Sequence, residues 1–183
     1  MIDRVPETGR VLVTGPSNVG KTRLTARALE RWLTDHGPDG VVVLEFAPEL
    51  ERDGVVLGGR LDRVTTSPAG VWTGVLAAHA PRAESETADD ARELARENAE
   101  RAAEILEAMP VDSKAVFVND ATIPFQHDSG DSAKLLSRCS TASLVVMNAF
   151  ESDELGVDDS VSRCEREARS ALEAWADEQI RLA

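Results

Sequence analysis

Tyrosine is missing from the 183 residues, Lys21, Lys114 and Lys134 are the only lysines, and Cys139 and Cys164 the only cysteines. Two cysteines without C-x-x-C spacing or a nearby His cluster exclude a disulfide framework and a zinc site of the usual pattern, and both are expected to be reduced and buried. No apolar run approaches the roughly 20 residues of a membrane span. The N-terminus, Met1-Ile2-Asp3-Arg4, lacks the apolar stretch of a signal peptide. A soluble, cytoplasmic protein without a membrane partner is therefore expected. No linker, internal repeat or low-complexity segment interrupts the chain, so residues 1–183 read as a single domain.

Positive charge is also scarce: 33 acidic against 20 basic residues give a net charge of −13. Abundant Ala and Val with so little lysine suit a halophilic, salt-adapted cytoplasm, where a carboxylate-rich surface stays hydrated and its self-repulsion is screened. An acidic protein from ordinary salt is the alternative. General nucleic-acid binding is disfavoured, because an acidic surface repels phosphate backbones and no basic stripe with interleaved aromatics occurs.

What the chain does contain is Gly15-Pro16-Ser17-Asn18-Val19-Gly20-Lys21-Thr22, a G-x-x-x-x-G-K-[ST] run. It follows the short apolar stretch Val11-Leu12-Val13-Thr14 and precedes Leu24, Ala28, Leu29 and Trp32 at helical spacing. Strand, glycine loop and helix together aim backbone N–H groups and the positive end of a helix dipole at a phosphate. Lys21 is placed to reach the β- and γ-phosphates, the Thr22 hydroxyl to coordinate Mg²⁺, and residues 15–23 including Arg23 to line the nucleotide.

Gly37-Pro38-Asp39-Gly40 ends this first helix, and a second strand is expected over Val41 to Phe46. Residues 49–82 are irregular and form a candidate segment for a small-molecule or protein partner, with surface turns and a short extra element as the alternative. Thr87 caps a helix that carries Ala91, Leu94, Ala95, Ala102, Ile105, Leu106 and Met109 as one stripe and ends near Met109-Pro110. A third strand over Ala115 to Val118 ends in Asn119-Asp120. A short helix follows from Ser132 to Arg138, and a fourth strand from Ser143 to Met147 ends in Asn148. A last helix starts near Asp159 or Ser160, and residues 179–182 are expected to extend it. Alternating strands and helices predict an α/β three-layer sandwich around a mainly parallel sheet of four to five strands, with ligands at the carboxyl ends of the strands.

With its phosphate loop, later apolar strand and polar strand ends, the chain resembles the P-loop NTPase superfamily. The closest branch has an apolar strand ending in Asp-Glu and a next strand ending in a polar sensor. That resemblance implies the P-loop NTPase fold, ATP and Mg²⁺ as ligands, a first acid that organises the metal and a second that activates water. Here the pair is Asn119-Asp120. An amide brings no charge, so Asp120 is assigned to the metal together with Thr22, or to catalysis. Glu45 resembles the acid that recombinase-type members carry at a comparable point; the alternative is a strand residue satisfied by a local partner. Asn148 fits a sensor contact to the γ-phosphate or the attacking water, or a turn. His127 and the arginines of the last helix are more simply surface groups.

The layout is also similar, in outline only, to P-loop corrinoid adenosyltransferases. An Mg²⁺-dependent ATPase or ATP-driven regulator is the leading expectation. A phosphotransferase acting on a small molecule and a nucleotide-binding module without hydrolysis are the alternatives. A GTPase is disfavoured, because Asn148-Ala149-Phe150-Glu151 lacks the Lys and Asp of a guanine-reading N-K-x-D.

Overall fold

Apolar runs without polar alternation must be covered on both faces, and a computed structural model describing residues 5–57 and 59–183 shows how. Strands β1 (Gly9–Gly15), β2 (Val41–Glu45), β5 (Trp72–Val75), β6 (Ala115–Asn119), β7 (Leu144–Phe150) and β8 (Glu178–Arg181) form one sheet in the order β5-β2-β6-β7-β1-β8. Every pairing in that sheet is parallel. A separate antiparallel hairpin joins β3 (Leu50–Arg52) to β4 (Val55–Leu57) across Asp53 and Gly54, both at positive φ.

Helix α1 (Lys21–His36) covers one face, while α3 (Ala88–Ala108), α4 (Ser132–Cys139) and α5 (Ser160–Trp175) cover the other. The period of two divides the strand residues between them. Val11, Val13, Val43, Phe117 and Val146 pack with Ala26, Leu29 and Trp32 of α1. Leu12, Val42, Leu44, Val116 and Met147 pack with Ala102, Leu106, Leu135, Ala168 and Leu172. Fully burying a side chain of this size contributes about 1.5–3 kcal/mol, so both layers are needed. Helix starts follow the capping rule: Thr87, Asp131 and Asp159 each accept an amide of the first turn that follows.

The α/β class and parallel sheet agree with the sequence reading, and three elements differ from it. The main sheet has six strands rather than four to five. Residues 178–181 are strand β8, not a continuation of α5, because Ala176 leaves the helix at an extended φ/ψ and Asp177 bonds to Arg10. Ile180, 7% exposed, is the single buried residue of that strand. Within residues 49–82, β5 extends the sheet beside β2, and its Gly74 lets α3 approach, since a Cβ there would lie 2.5 Å from Ile105 Cγ2. Strand β7 runs on to Phe150, which places Asn148 inside the strand rather than at its end. Met1–Arg4 and Gly58, which entered the expectations above, lie outside the described residues.

Among the described residues no helix is long and apolar enough to cross a membrane.

Candidate functional site

The carboxyl ends of β1, β2, β6 and β7 meet at one edge of the sheet, and a cavity of about 850 Å³ opens there. Residues Ser17 to Arg23 form one wall. Their loop is held by positive φ at Asn18 (62°) and Gly20 (99°), and Gly20 is the N-cap of α1 in a left-handed conformation. A Cβ at Gly20 would meet nothing within 4 Å, so the glycine serves the backbone angle and not packing. No side chain caps α1, and no acidic residue occupies its first turn. Lys21 and Arg23 stand there instead, the reverse of what a helix dipole favours. The first turn of α1 therefore has neither a side-chain cap nor an acid to offset its dipole. Gly15 and Pro16 precede the cavity wall and act through their carbonyls, which accept from Lys21 Nζ, at 2.9 Å for Gly15.

Lys21 is 8% exposed. Burial pulls its pKa below the usual lysine range, against the opposing fields of Asp120 and Glu154. Glu154, in the loop after β7, reaches the loop before α1 directly, accepting from the Ser17 amide at 3.1 Å.

Behind this wall lies a closed polar network. Thr22 Oγ1 donates to Asn119 Oδ1 at 3.2 Å, and Asn148 Nδ2 donates to the same oxygen at 2.8 Å. Asn119 Nδ2 in turn donates to Glu45 Oε1 and to the Gly59 carbonyl, both at 2.8 Å. Glu45 also accepts from the amides of Ala47 (3.1 Å) and Leu61 (2.7 Å). Burial pushes Glu45 up to about 7, although the bonds from Leu61, Asn119 and Ala47 pull the other way. Asn148 completes the network by donating to Thr25 Oγ1 and accepting from the Asp120 amide, each at 2.9 Å. Glu45 and Asn148 are buried and do not line the cavity.

Asp120 differs from both. It follows β6 at a φ of 54°, lines the cavity, and its carboxylate makes no hydrogen bond among the described residues. Burial pushes its pKa up to about 6, the Lys21 ammonium acting against this and Glu165 adding to it. A non-glycine residue held in the left-handed region is a local cost that surrounding structure must enforce. Here the Asn148 side chain enforces it through the Asp120 amide.

The opposite wall was not anticipated from the sequence. Glu165 of α5, 3% exposed, accepts from Arg82, Thr122 and Gln126. Arg82, which follows Pro81 in the short helix α2 (Pro81–Glu84), also donates to Ser162 at 2.9 Å and lies 5.8 Å from the Phe150 ring. Lys21 Nζ faces the same ring at 6.0 Å. A signal existed: Glu165 falls on the apolar stripe of its helix, four residues after Val161 and three before Ala168. His127, Arg163, Arg166 and Arg169 do not line the cavity.

Among the described residues no group of three or more His, Cys, Asp or Glu side chains is arranged to hold a metal ion. Thr22 and Asp120 offer one hydroxyl and one free carboxylate. That donor set suits Mg²⁺ that takes its other oxygens from phosphates and water.

No protein-family model matches this chain, and no curated protein matches it either.

Proposed function

We propose that the chain is an Mg²⁺-dependent ATP-binding protein with a P-loop NTPase fold, acting as an ATPase or ATP-driven regulator. One observation carries the reading. The run from Gly15 to Thr22 folds as strand, loop and uncapped helix start, with Lys21 and Thr22 beside a free carboxylate at Asp120. The resemblance named above supports ATP, and the missing guanine-reading residues argue against GTP.

In this reading the amides from Ser17 to Thr22 hold phosphate oxygens, and Lys21 turns from the carbonyls of Gly15 and Pro16 to bridge them. Bound ATP would supply a transferable γ-phosphoryl group, and Mg²⁺ held by Thr22 and Asp120 would offset its charge. If Asp120 is not engaged by the metal, its carboxylate would instead take the proton of an attacking water or hydroxyl. Asn148 orients Asp120 through its amide, and Asn119 fixes the Thr22 hydroxyl.

A phosphotransferase is the second reading, favoured by the size of the cavity and by the cationic groups on its far side. Calorimetry with ATP and GTP, with and without Mg²⁺, in high KCl, coupled to phosphate release, tests the proposal. Lys21→Met should weaken ATP binding at least about 100-fold without unfolding the protein. Unchanged affinity in that variant refutes the assignment of the loop.

A further inference from the structure

Five of the chain's 20 basic residues line this one cavity: Lys21, Arg23, Arg60, Arg63 and Arg82. Only three of its 33 acids do so: Asp120, Glu154 and Glu165. The cavity wall thus carries more basic than acidic groups, although the chain has a net charge of −13. The phosphate loop accounts for Lys21 and Arg23, and Glu165 neutralises Arg82. Arg60 and Arg63 remain, on the far wall.

Their position is fixed from inside the protein. The backbone is pinned on both sides of Arg60: Asn119 holds the Gly59 carbonyl and Glu45 holds the Leu61 amide. Leu61, 3% exposed, anchors the 3-10 turn Leu61–Arg63 in the layer that contains α1. Two buried polar side chains thus hold one arginine-bearing segment at the cavity wall.

Among the described residues Glu49 is the one carboxylate within 4 Å of either guanidinium group. Glu49 accepts from Arg63 Nε at 2.9 Å but lies 3.6 Å from Arg60 Nη1, beyond hydrogen-bond distance. Among the described residues the buried Arg60 Nε has no hydrogen-bond partner. One carboxylate therefore contacts two guanidinium groups, and Asp62 of the same turn pairs with neither, which leaves guanidinium donors unused beside the cavity. Guanidinium pairs hold planar or tetrahedral oxyanions through such forks.

We propose that Arg60 and Arg63 form a second oxyanion subsite, distinct from the phosphate loop, for a small co-substrate bearing a carboxylate or phosphate-monoester group. The inference rests on the nucleotide-binding reading of the loop, and it favours the transferase form of that reading over simple hydrolysis.

The test follows the arginine Nε–Hε resonances by NMR at constant high KCl. The protein is first titrated with Mg²⁺ and a non-hydrolysable ATP analogue, then with citrate or glycerol phosphate, which separate the two anion sources. Saturable shifts at Arg60 and Arg63 in the second titration are expected. The double variant Arg60→Ala/Arg63→Ala should bind the effective anion at least tenfold more weakly and the analogue within about twofold of the parent. Two results overturn the proposal: no saturable shift with either anion, or a comparable loss of analogue affinity in the double variant, which assigns the arginines to the nucleotide. The anion titrations are repeated on the free protein. If the analogue fails to bind, the loop assignment falls, while these titrations still decide the subsite.

Discussion

The backbone amide of Ser17 donates to a carboxylate oxygen of Glu154 at 3.1 Å, although 137 positions separate the two in sequence. A carboxylate thus holds one of the amides that the phosphate loop would turn toward a nucleotide. The loop that carries it, residues 151–159, also includes Glu151, Asp153, Asp158 and Asp159.

Replacing Glu154 should therefore release a competitor. Glu154→Gln removes the charge at nearly constant shape and is expected to tighten ATP binding about threefold to tenfold, as for loss of one charge-assisted hydrogen bond at a partly solvated site. Calorimetry against the parent protein decides this. An unchanged or weaker affinity would show that the contact does not oppose nucleotide.

Asp120→Asn keeps the left-handed backbone, which Asn tolerates well, and removes the proton acceptor. Phosphate release should fall about 100-fold or more, in the range measured for general bases. In the metal-free parent burial raises the Asp120 pKa to about 6, so Mg²⁺ affinity should rise as pH increases through about 6. Full turnover in the variant, or Mg²⁺ affinity flat from pH 5 to 7.5, would remove Asp120 from the chemistry.

Asn119 stands where the family resemblance leads one to expect an acid, and its contacts explain the amide. Its Nδ2 must donate to Glu45 and Gly59, while its Oδ1 accepts from Thr22 and Asn148. Asn119→Asp sets two carboxylates against each other and should destabilise the fold by about 1–3 kcal/mol, the cost of a buried polar group left unsatisfied. Adding Glu45→Gln should restore a large part of that loss. Denaturant midpoints of the single and double variants measure the coupling; strictly additive effects would refute it.

Glu45 also gives stability a pH dependence. Its pKa in the folded protein is raised to about 7, so the native state holds this proton where the unfolded chain has released it. The resulting stabilisation is complete below about 4.5 and is lost as pH rises through about 7. The stability difference between parent and Glu45→Gln should therefore shrink from pH 5 to pH 8. Thermal melts at constant KCl that stay parallel over that range would exclude the effect.

The parts of this fold legible in the sequence are those with a long period or a local cap. Thr87 and Asp159 begin their helices as expected, and the glycine-punctuated run after β1 stands where the cavity opens. Strands β5 and β8 were not legible, for a physical reason. Each has four residues and one buried position, Gly74 or Ile180, so neither carries an apolar run. Side-chain positions followed the same division. Residues 17–23 were placed by local pattern, whereas Glu45 and Asn148 face inward because of strand register, which no local pattern encodes. Glu165 carried a signal, its place on the apolar stripe of α5, but its partners Arg82, Thr122 and Gln126 come from distant segments that no local pattern joins.

Of the three lysines, Lys114 and Lys134 are surface groups paired with Asp39 and Glu107. Lys21 alone is buried, and its lowered pKa makes the neutral, nucleophilic amine more available than in an ordinary lysine. An acylating reagent will therefore modify two lysines freely and meet the third only through the cavity. The extent of labelling at that single ammonium becomes a chemical gauge of whether the cavity is filled.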